Sequence, residues 1–324
     1  MSAALAANVH DRAYYEAKFF GWMAEHNVKP TSGEHFVKMI QTFANNDDLI
    51  EQHNAGKSTY TLGHNQFSHM DAAEWKAYVK GTGKPTKQTA MFTHNGPETV
   101  TATSKDWVAD GAVGTIKDQG QCGSCWAFSA TGALEGAYQI KNGKSAVLSE
   151  QYLVSCDNRK NGGSDLGCNG GLMDSAFEFL KKNGGSPTSA SYPYTSGTTK
   201  ANGDCVAATK VAGTTPSSWT DVKANSDASL ISALDLQPVA VAIDASQPAF
   251  QLYKSGVYTA DCGTDLDHGV LAVGYGTESG KDFYKVRNSW GASWGEAGYI
   301  KLVRGIAQKE GQCGILMEAS YVNL

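Results

Sequence analysis

The stretch DQGQCGSCWAFSATGALEGAY, residues 118–138, decides the fold because it begins a predicted helix directly after two closely spaced cysteines. The helix pattern runs on from Cys125 to an Asn-Gly stop at residues 142–143. Unpaired N–H groups and the dipole at a helix N-terminus favour an anion, so a thiol there should have a lowered pKa. Cys125 is therefore a candidate nucleophile, while a disulfide, a redox thiol or a metal ligand remains open at this point.

Length and composition bound the class of protein. The chain has 324 residues, 41% hydrophobic and 18% charged, which predicts a folded protein with two domains or one domain and an appendage. The net charge of −5 and the lack of a long basic run argue against nucleic acid or a membrane surface as partner. No apolar stretch approaches the ~20 residues that span a bilayer, and we expect the start to lack a complete signal peptide.

Seven cysteines all lie in the C-terminal two-thirds of the chain. An odd count leaves one free thiol if the others pair, and a pattern of six plus one implies a secretory history. Six cysteines allow fifteen connectivities, among which composition does not choose. No second C-x-x-C or H-x₃-H completes a metal site, so we expect neither a metal nor a cofactor.

Composition divides the chain into three parts. Residues 1–80 contain two amphipathic helical patterns joined by a turn at residues 30–33, which predicts a small helical domain. Residues 81–103 are polar and rich in Gly, Pro and Thr, which indicates an extended linker. In residues 104–324 predicted helices come first and β-branched strands second, which favours an α+β fold with segregated lobes.

Two further residues complete a catalytic pattern with Cys125. His268 in LDHGV and Asn288 in VRNSWG follow it by 143 and 163 residues. Taken singly, a histidine before a strand is more often structural than catalytic. Only the joint spacing favours a nucleophile with its base and an orienting amide.

The motifs QGQCGSCWAFS, CNGG, DHGVLAVGYG, NSWGASWGEAGYI and CGI occur in this order. With this spacing the chain resembles a papain-family cysteine protease of the cathepsin L type, as a proenzyme, over nearly its whole length. The resemblance implies a two-lobed fold with a helical lobe around Cys125 and a β-barrel-like lobe carrying His268 and Asn288. It also implies a monomer that acts on peptides and proteins without a cofactor.

The resemblance assigns a role to each motif residue. Cys125 would be the nucleophile, His268 its acid–base partner and Asn288 the residue that orients the imidazole. Gln119 would stabilise the oxyanion, and Trp290 would shield the His268–Asn288 hydrogen bond. The disulfides implied by the family are Cys122–Cys168, Cys156–Cys205 and Cys262–Cys313.

Substrate-binding residues also follow from the resemblance. The positions that match the S1 and S2 subsites and their surroundings are Gly123, Ser124, Gly170, Gly171, Leu172, Met173, Ala242, Leu266, Asp267, Gly269, Trp290 and Glu318. The S2 residues are mostly apolar, which predicts Leu or Phe at P2, and Glu318 suggests that Arg fits as well. No histidine-bearing insertion blocks the cleft, so an endopeptidase from the lysosome, vacuole or extracellular space is favoured.

The N-terminal part resembles the family's inhibitory propeptide. Phe43, Asn46, Ile50 and Asn54 match the second half of its long-helix motif, and GHNQFSHMD matches the segment that follows. His69 replaces the usual aspartate there, and we hypothesise that it loosens the propeptide as it charges on acidification. The mature chain should begin within residues 100–104. Two alternatives are a catalytically silent homologue and an N-terminal part that inhibits other proteases in trans.

Overall fold

The computed structural model describes residues 8–80, 90, 92–96 and 103–324, so most of the predicted linker lies outside the described residues. The α-helices are α1 (Arg12–Glu25), α2 (Gly33–Ala55), α3 (Ala72–Lys80), α4 (Cys125–Asn142), α5 (Glu150–Cys156), α6 (Met173–Lys182), α7 (Ser196–Thr199), α8 (Asp227–Leu236) and α9 (Pro248–Gln251). The strands are β1 (Tyr60–Leu62), β2 (Phe92–His94), β3 (Lys105–Asp106), β4 (Ser218–Val222), β5 (Val239–Ile243), β6 (Tyr253–Tyr258), β7 (His268–Glu278), β8 (Lys281–Arg287), β9 (Tyr299–Val303) and β10 (Ala319–Asn323).

Helices α1 and α2 form the N-terminal helical region where the periodicity predicts them. Each begins at an N-cap, Asp11 and Ser32, whose side chain accepts a hydrogen bond from a backbone N–H in the first turn. Phe19, Trp22 and Phe43 bury their rings between the two helices. These aromatic side chains and the buried Met39 and Ile40 form the apolar core of this small unit.

Helix α4 forms the centre of the helical lobe. It is buried on every side from Cys125 to Tyr138, as expected for a helix that is apolar all round, and it ends at Gly143 in the left-handed conformation. Helices α5 and α6 pack against it in one apolar cluster that includes Leu134 and Phe177. This packing fixes the start of α4, and with it the position of Cys125.

The second lobe is built on a sheet whose strand order is β1-β6-β9-β8-β7-β5-β10-β4-β2, with β3 paired to β7. Its two longest strands, β7 and β8, pair antiparallel and carry His268 and Asn288 at or just beyond their ends. The prediction of α+β lobes is confirmed: helices α4 to α6 pack on one side, and strands β4 to β10, which follow them in sequence, form most of the sheet.

The N-terminal helical region docks on the sheet lobe. Strand β1 pairs antiparallel with β6, and Phe67 and Trp75 join the same buried apolar cluster as Trp290 and Trp294. Because the cluster is continuous, the N-terminal region and the sheet lobe share one core in the described residues. Helix α3, which supplies Trp75, was not predicted separately from the sequence.

Three disulfides link the pairs that the resemblance implies, Cys122–Cys168, Cys156–Cys205 and Cys262–Cys313. The remaining cysteine, Cys125, is free and buried. The first bridge ties the loop before α4 to the CNGG loop and so holds two walls of the cleft together. Among the described helices, none is both long and apolar enough to cross a membrane.

Candidate active site

A cleft between the two lobes brings most of the predicted substrate-binding residues together. Its cavity of about 130 Å³ is lined by Val79, Gly123, Cys125, Gly170, Gly171, Leu172, Met173, Ala242, Leu266, Asp267, His268, Gly269 and Glu318. Gly171 has to lack a side chain, because a Cβ there would lie 2.3 Å from the indole of Trp126. The cleft joins residues that are up to 239 positions apart, counting from Val79 to Glu318 (318 − 79).

Cys125 opens α4, as predicted, but its thiol is not ionised in this closed state. Burial raises the pKa of Cys125 to about 11, against the opposing effect of the backbone N–H groups of Gly269 and Trp126. The sequence argument expected a lowered pKa from the helix N-terminus alone. It was wrong for this state because loss of hydration outweighs the dipole when the cleft is covered.

His268 is held in place by two neighbours. Its Nε2 lies 2.8 Å from Asn288 Oδ1, and its ring stacks on Trp290 with centroids 4.4 Å apart. Asn288 Oδ1 also accepts a hydrogen bond from the Ser289 N–H at 2.7 Å, which fixes the amide orientation. The oxygen is an acceptor, so the proton of the neutral imidazole lies on Nε2 and leaves Nδ1 as the basic nitrogen.

The pKa of His268 is lowered to about 4 by burial, although its hydrogen bond with Asn288 acts in the other direction. The low pKa of the imidazole and the high pKa of the Cys125 thiol have the same cause. Burial thus disfavours the charged form of both groups in the closed state. The covered site holds the reactive pair as a thiol and an imidazole.

Gln119 sits beside the start of α4 in a hydrogen-bonded frame. Its Nε2 donates to the Cys122 carbonyl at 3.0 Å, and its Oε1 accepts from the Ser289 hydroxyl at 2.7 Å. The Tyr194 hydroxyl donates to the Gln119 carbonyl at 2.7 Å and is hydrogen-bonded to the Ser124 hydroxyl at 2.8 Å. Sequence reasoning missed Ser289 and Tyr194, although Ser289 directly follows a predicted site residue.

Helix α3 of the N-terminal region covers this site. Val79 lines the cleft together with Cys125, and the Tyr78 hydroxyl donates to the Gly120 carbonyl at 3.0 Å. Trp75 is fully buried, donates from Nε1 to the Ala245 carbonyl at 2.9 Å and meets Trp290 edge to face at 4.9 Å. Tyr78 and Val79 follow Trp75 by three and four residues in AEWKAYVK, and this helical spacing could have indicated that the three side chains share the face of α3 toward the cleft.

Two predicted substrate-binding residues do not line the cavity. Ser124 is fully buried, and its side chain is turned to Tyr194. Trp290 is also fully buried and lies beneath His268, between the imidazole and the aromatic rings of the N-terminal region. Within the described residues, no group of three or more histidine, cysteine or acidic side chains is arranged to hold a metal ion.

Comparison with known families accounts for nearly the whole chain. Residues 101–323 match the family model described as "Papain family cysteine protease", and residues 19–75 match the "Cathepsin propeptide inhibitor domain (I29)". The probable cysteine protease RD21B of Arabidopsis thaliana is 48% identical over 315 residues, which are 95% of this chain and 65% of that protein. The senescence-specific cysteine protease SAG39 of Oryza sativa subsp. japonica is 41% identical over 326 residues, with 99% and 94% coverage.

Solved structures of proenzymes superpose along the chain. The proform of the ragweed pollen allergen Amb a 11, a cysteine protease, is 35% identical with a TM-score of 0.83, covering 100% of this chain and 99% of that one. Digestive procathepsin L 3 from Tenebrio molitor larval midgut is 36% identical with a TM-score of 0.85, covering 96% and 99%. The predicted papain-like proenzyme fold is thereby confirmed.

The described geometry and these similarities agree. An inhibitor domain precedes a protease domain in one chain, and its third helix lies over the cleft that contains Cys125 and His268. The chain therefore belongs to the papain family of cysteine proteases, as a zymogen whose own I29 propeptide domain inhibits it.

Proposed function

We propose that the mature enzyme is a cysteine endopeptidase in which Cys125 attacks the peptide carbonyl and His268 moves the proton. One observation carries this assignment most directly. Asn288 holds Nε2 of His268, which leaves Nδ1 as the base, in the same cleft as the only free thiol among the described cysteines. Departure of the propeptide rehydrates the cleft, so the thiol proton passes to Nδ1 and a thiolate–imidazolium pair forms.

The catalytic cycle then uses His268 twice, first as an acid toward the leaving amine and then as a base toward water. The Cys125 thiolate adds to the carbonyl carbon, and the imidazolium of His268 protonates the leaving amine as the carbon–nitrogen bond breaks. Water, deprotonated by the neutral imidazole, hydrolyses the thioester and restores the thiol. We assign the Gln119 amide and the Cys125 backbone N–H to the oxyanion, and the frame of Ser289 and Tyr194 supports this by fixing Gln119 on two sides.

We propose that substrate preference is set by the apolar wall of the cleft and by Glu318. Leu172, Met173, Ala242 and Leu266 line one region of the cavity and suit Leu or Phe at P2. Glu318 lines the same cavity and offers a carboxylate for a charge-assisted hydrogen bond with Arg. The exchange Glu318→Gln keeps the shape, so it should lower the Arg-to-Phe ratio in kcat/KM at P2. An unchanged ratio would refute this role.

We further propose the boundaries 1–80 for the helical propeptide, 81–103 for its linker and 104–324 for the mature enzyme. The family matches at residues 19–75 and 101–323 support this division. Strand β2 (Phe92–His94), which we assign to the linker, pairs with β4 and is consistent with this division. Three disulfides support a secretory route to a vacuole, lysosome or the extracellular space, because such bonds persist in oxidising compartments.

The test is acid activation of the full chain in parallel with Cys125→Ser. The wild-type chain should shorten to an N-terminus within residues 100–104 and then hydrolyse a Phe-Arg amide substrate. The variant should stay full length alone and be shortened when processed wild-type enzyme is added, which controls for its folding. Self-processing of Cys125→Ser, or a wild-type chain that stays inert at every pH, would remove the proposal.

A further inference from the structure

The segment of the propeptide around β2 is bound to the mature domain away from the catalytic residues. Strand β2 pairs in parallel with β4 over three residue pairs, Phe92↔Thr220, Thr93↔Asp221 and His94↔Val222. The Lys223 N–H donates to the His94 carbonyl at 3.0 Å and extends the pairing. In the described sheet, β4 has β10 on its other side, so β2 occupies the edge position. The propeptide thus adds a strand to the enzyme's own sheet.

Side chains of the mature domain form a socket beside this edge. The His94 ring lies between the Ser232 hydroxyl, 3.1 Å from Nε2, and the Tyr321 hydroxyl, 3.2 Å from Nδ1. The Gly96 N–H donates to the Ser229 hydroxyl at 3.0 Å, and a Cβ on Gly96 would lie 2.6 Å from the Ala228 carbonyl oxygen. One ring and several main-chain groups are therefore recognised.

The remaining contacts of the segment place little demand on its sequence. The side chains of Phe92, Thr93 and Asn95 are exposed. Strand addition gives affinity through main-chain hydrogen bonds, which any extended chain without proline can form. The edge of β4 with Ser229, Ser232 and Tyr321, here called the edge site, is thus suited to extended peptides of varied sequence, except beside Ala228, where only glycine fits against the backbone.

The edge site is continuous with the catalytic cleft. A second cavity, of about 270 Å³, is lined by Leu172, Met173 and Glu318, which also line the cleft beside Cys125. Its other wall is formed by residues 221–224 and by Thr93 of the bound segment. The shared lining residues place β4 next to the part of the cleft that we assign to P2.

We propose that the edge site, once the propeptide has left, binds the N-terminal part of an extended protein substrate. This rests on the proposed function, because the propeptide has to be removed for β4 to become an edge strand. Its vacated N–H and C=O groups then form a template for another strand. Since the propeptide runs from Val79 in the cleft to β4 and a substrate would run from β4 to Cys125, the substrate strand pairs with β4 antiparallel. A substrate held there gains affinity without any change at the scissile bond, so long substrates have a lower KM than short ones of the same P2 and P1.

The experiment compares two substrates on acid-processed enzyme. One is a Phe-Arg amide, and the other carries the same two residues behind eight further N-terminal residues. In the double variant Ser229→Ala/Ser232→Ala, KM for the long substrate should rise about three- to tenfold, as expected for the loss of one or two hydrogen bonds. The kcat/KM for the short substrate should stay unchanged, which also reports correct folding. The exposed Ser145→Ala serves as the matched control and should change neither value.

A binding measurement separates this inference from the catalytic one. A fluorescent peptide with the sequence of residues 90–96 should bind the processed chain, and bind the double variant more weakly, in an anisotropy titration that needs no turnover. Equal binding by wild type and variant, or an unchanged KM for the long substrate, overturns the edge site. Absence of hydrolysis of the short substrate instead overturns the proposed catalytic function.

Discussion

Two buried carboxyl groups beside the CNGG loop should make the fold more stable in acid than at neutral pH. Asp157 and Asp165 are both almost completely buried and interact with each other, and each has one carboxyl oxygen, Oδ2, without another hydrogen-bond partner. Asp165 Oδ1 also accepts from the Leu172 N–H at 3.0 Å, and Asp157 Oδ1 from the Ser164 N–H at 3.1 Å. Two carboxylates cannot share a hydrogen bond without a proton, so the folded chain has to keep one.

The direction of the pH effect follows from the shifts. Burial is the main cause that raises the pKa of Asp165 to about 10, and the charge of Asp157 is the second. An aspartate in the unfolded chain has a pKa of about 3.9. The folded chain therefore binds the proton more tightly, and the stability is fully present below about pH 4 and declines as the pH rises toward 10.

The substitution Asp165→Asn removes the need for this proton. The amide donates to Asp157 and still offers an oxygen to the Leu172 N–H. A hydrogen bond to a charged group contributes about 1.5–3 kcal/mol, so we expect that gain at pH 7.5 and little change at pH 4. For a chain of 324 residues it corresponds to a rise in Tm of roughly 2–4 °C.

Thermal unfolding at pH 4.0, 5.5 and 7.5 would measure this effect. The Cys125→Ser background prevents self-digestion, and Asp204→Asn, an exposed aspartate in the same lobe, is the matched control. The stabilisation should grow with pH for Asp165→Asn and stay near zero for the control. A loss of Tm that is equal at all three pH values would refute the shared proton.

Three further outcomes are expected. Gln119→Ala should lower kcat by about 10²–10³-fold, as expected for loss of one oxyanion donor. The control Gln121→Ala, at an exposed position, should keep wild-type kinetics. A wild-type kcat for Gln119→Ala would exclude the oxyanion role. Burial lowers the pKa of His69, so the folded propeptide loses stability as the pH falls below about 6.5, where the unfolded chain binds the proton more readily. The substitution His69→Asn should therefore move the midpoint of self-processing to lower pH. An unaltered midpoint would contradict this role of His69. Trp75→Ala should weaken propeptide docking by about 3–5 kcal/mol and so allow processing nearer neutral pH. A time course of chain length at several pH values would measure this, and a pH dependence equal to that of the wild-type chain would contradict it.

Local patterns in the sequence predicted the elements that are long or strongly periodic. Helices α1, α2, α4 and α6 and strands β5, β7, β8 and β9 lie where periodicity and turn residues indicate them. The spacing of Cys125, His268 and Asn288 was informative because several independent motifs had to agree. Strands β4 and β10 pair across about a hundred residues, so no local signal indicates their pairing.

Contacts between distant parts of the chain were the main omission. Val79 reaches the cleft, and Tyr194 reaches Gln119, only after the lobes have assembled. The pKa of Cys125 was predicted in the wrong direction for the zymogen, because the helix dipole can be read from sequence whereas burial under α3 cannot. Asp165 similarly looks like a loop residue until Asp157 is placed beside it.

Alkylation mapped by peptide mass analysis tests the central claim most directly. Full-length chain at neutral pH and acid-processed chain would be treated with the same small thiol reagent for the same time. We predict rapid modification of Cys125 alone after processing, and little modification before it, when the thiol is buried and neutral. Equal labelling of Cys125 in both forms, or labelling of Cys122 in its place, would contradict the account.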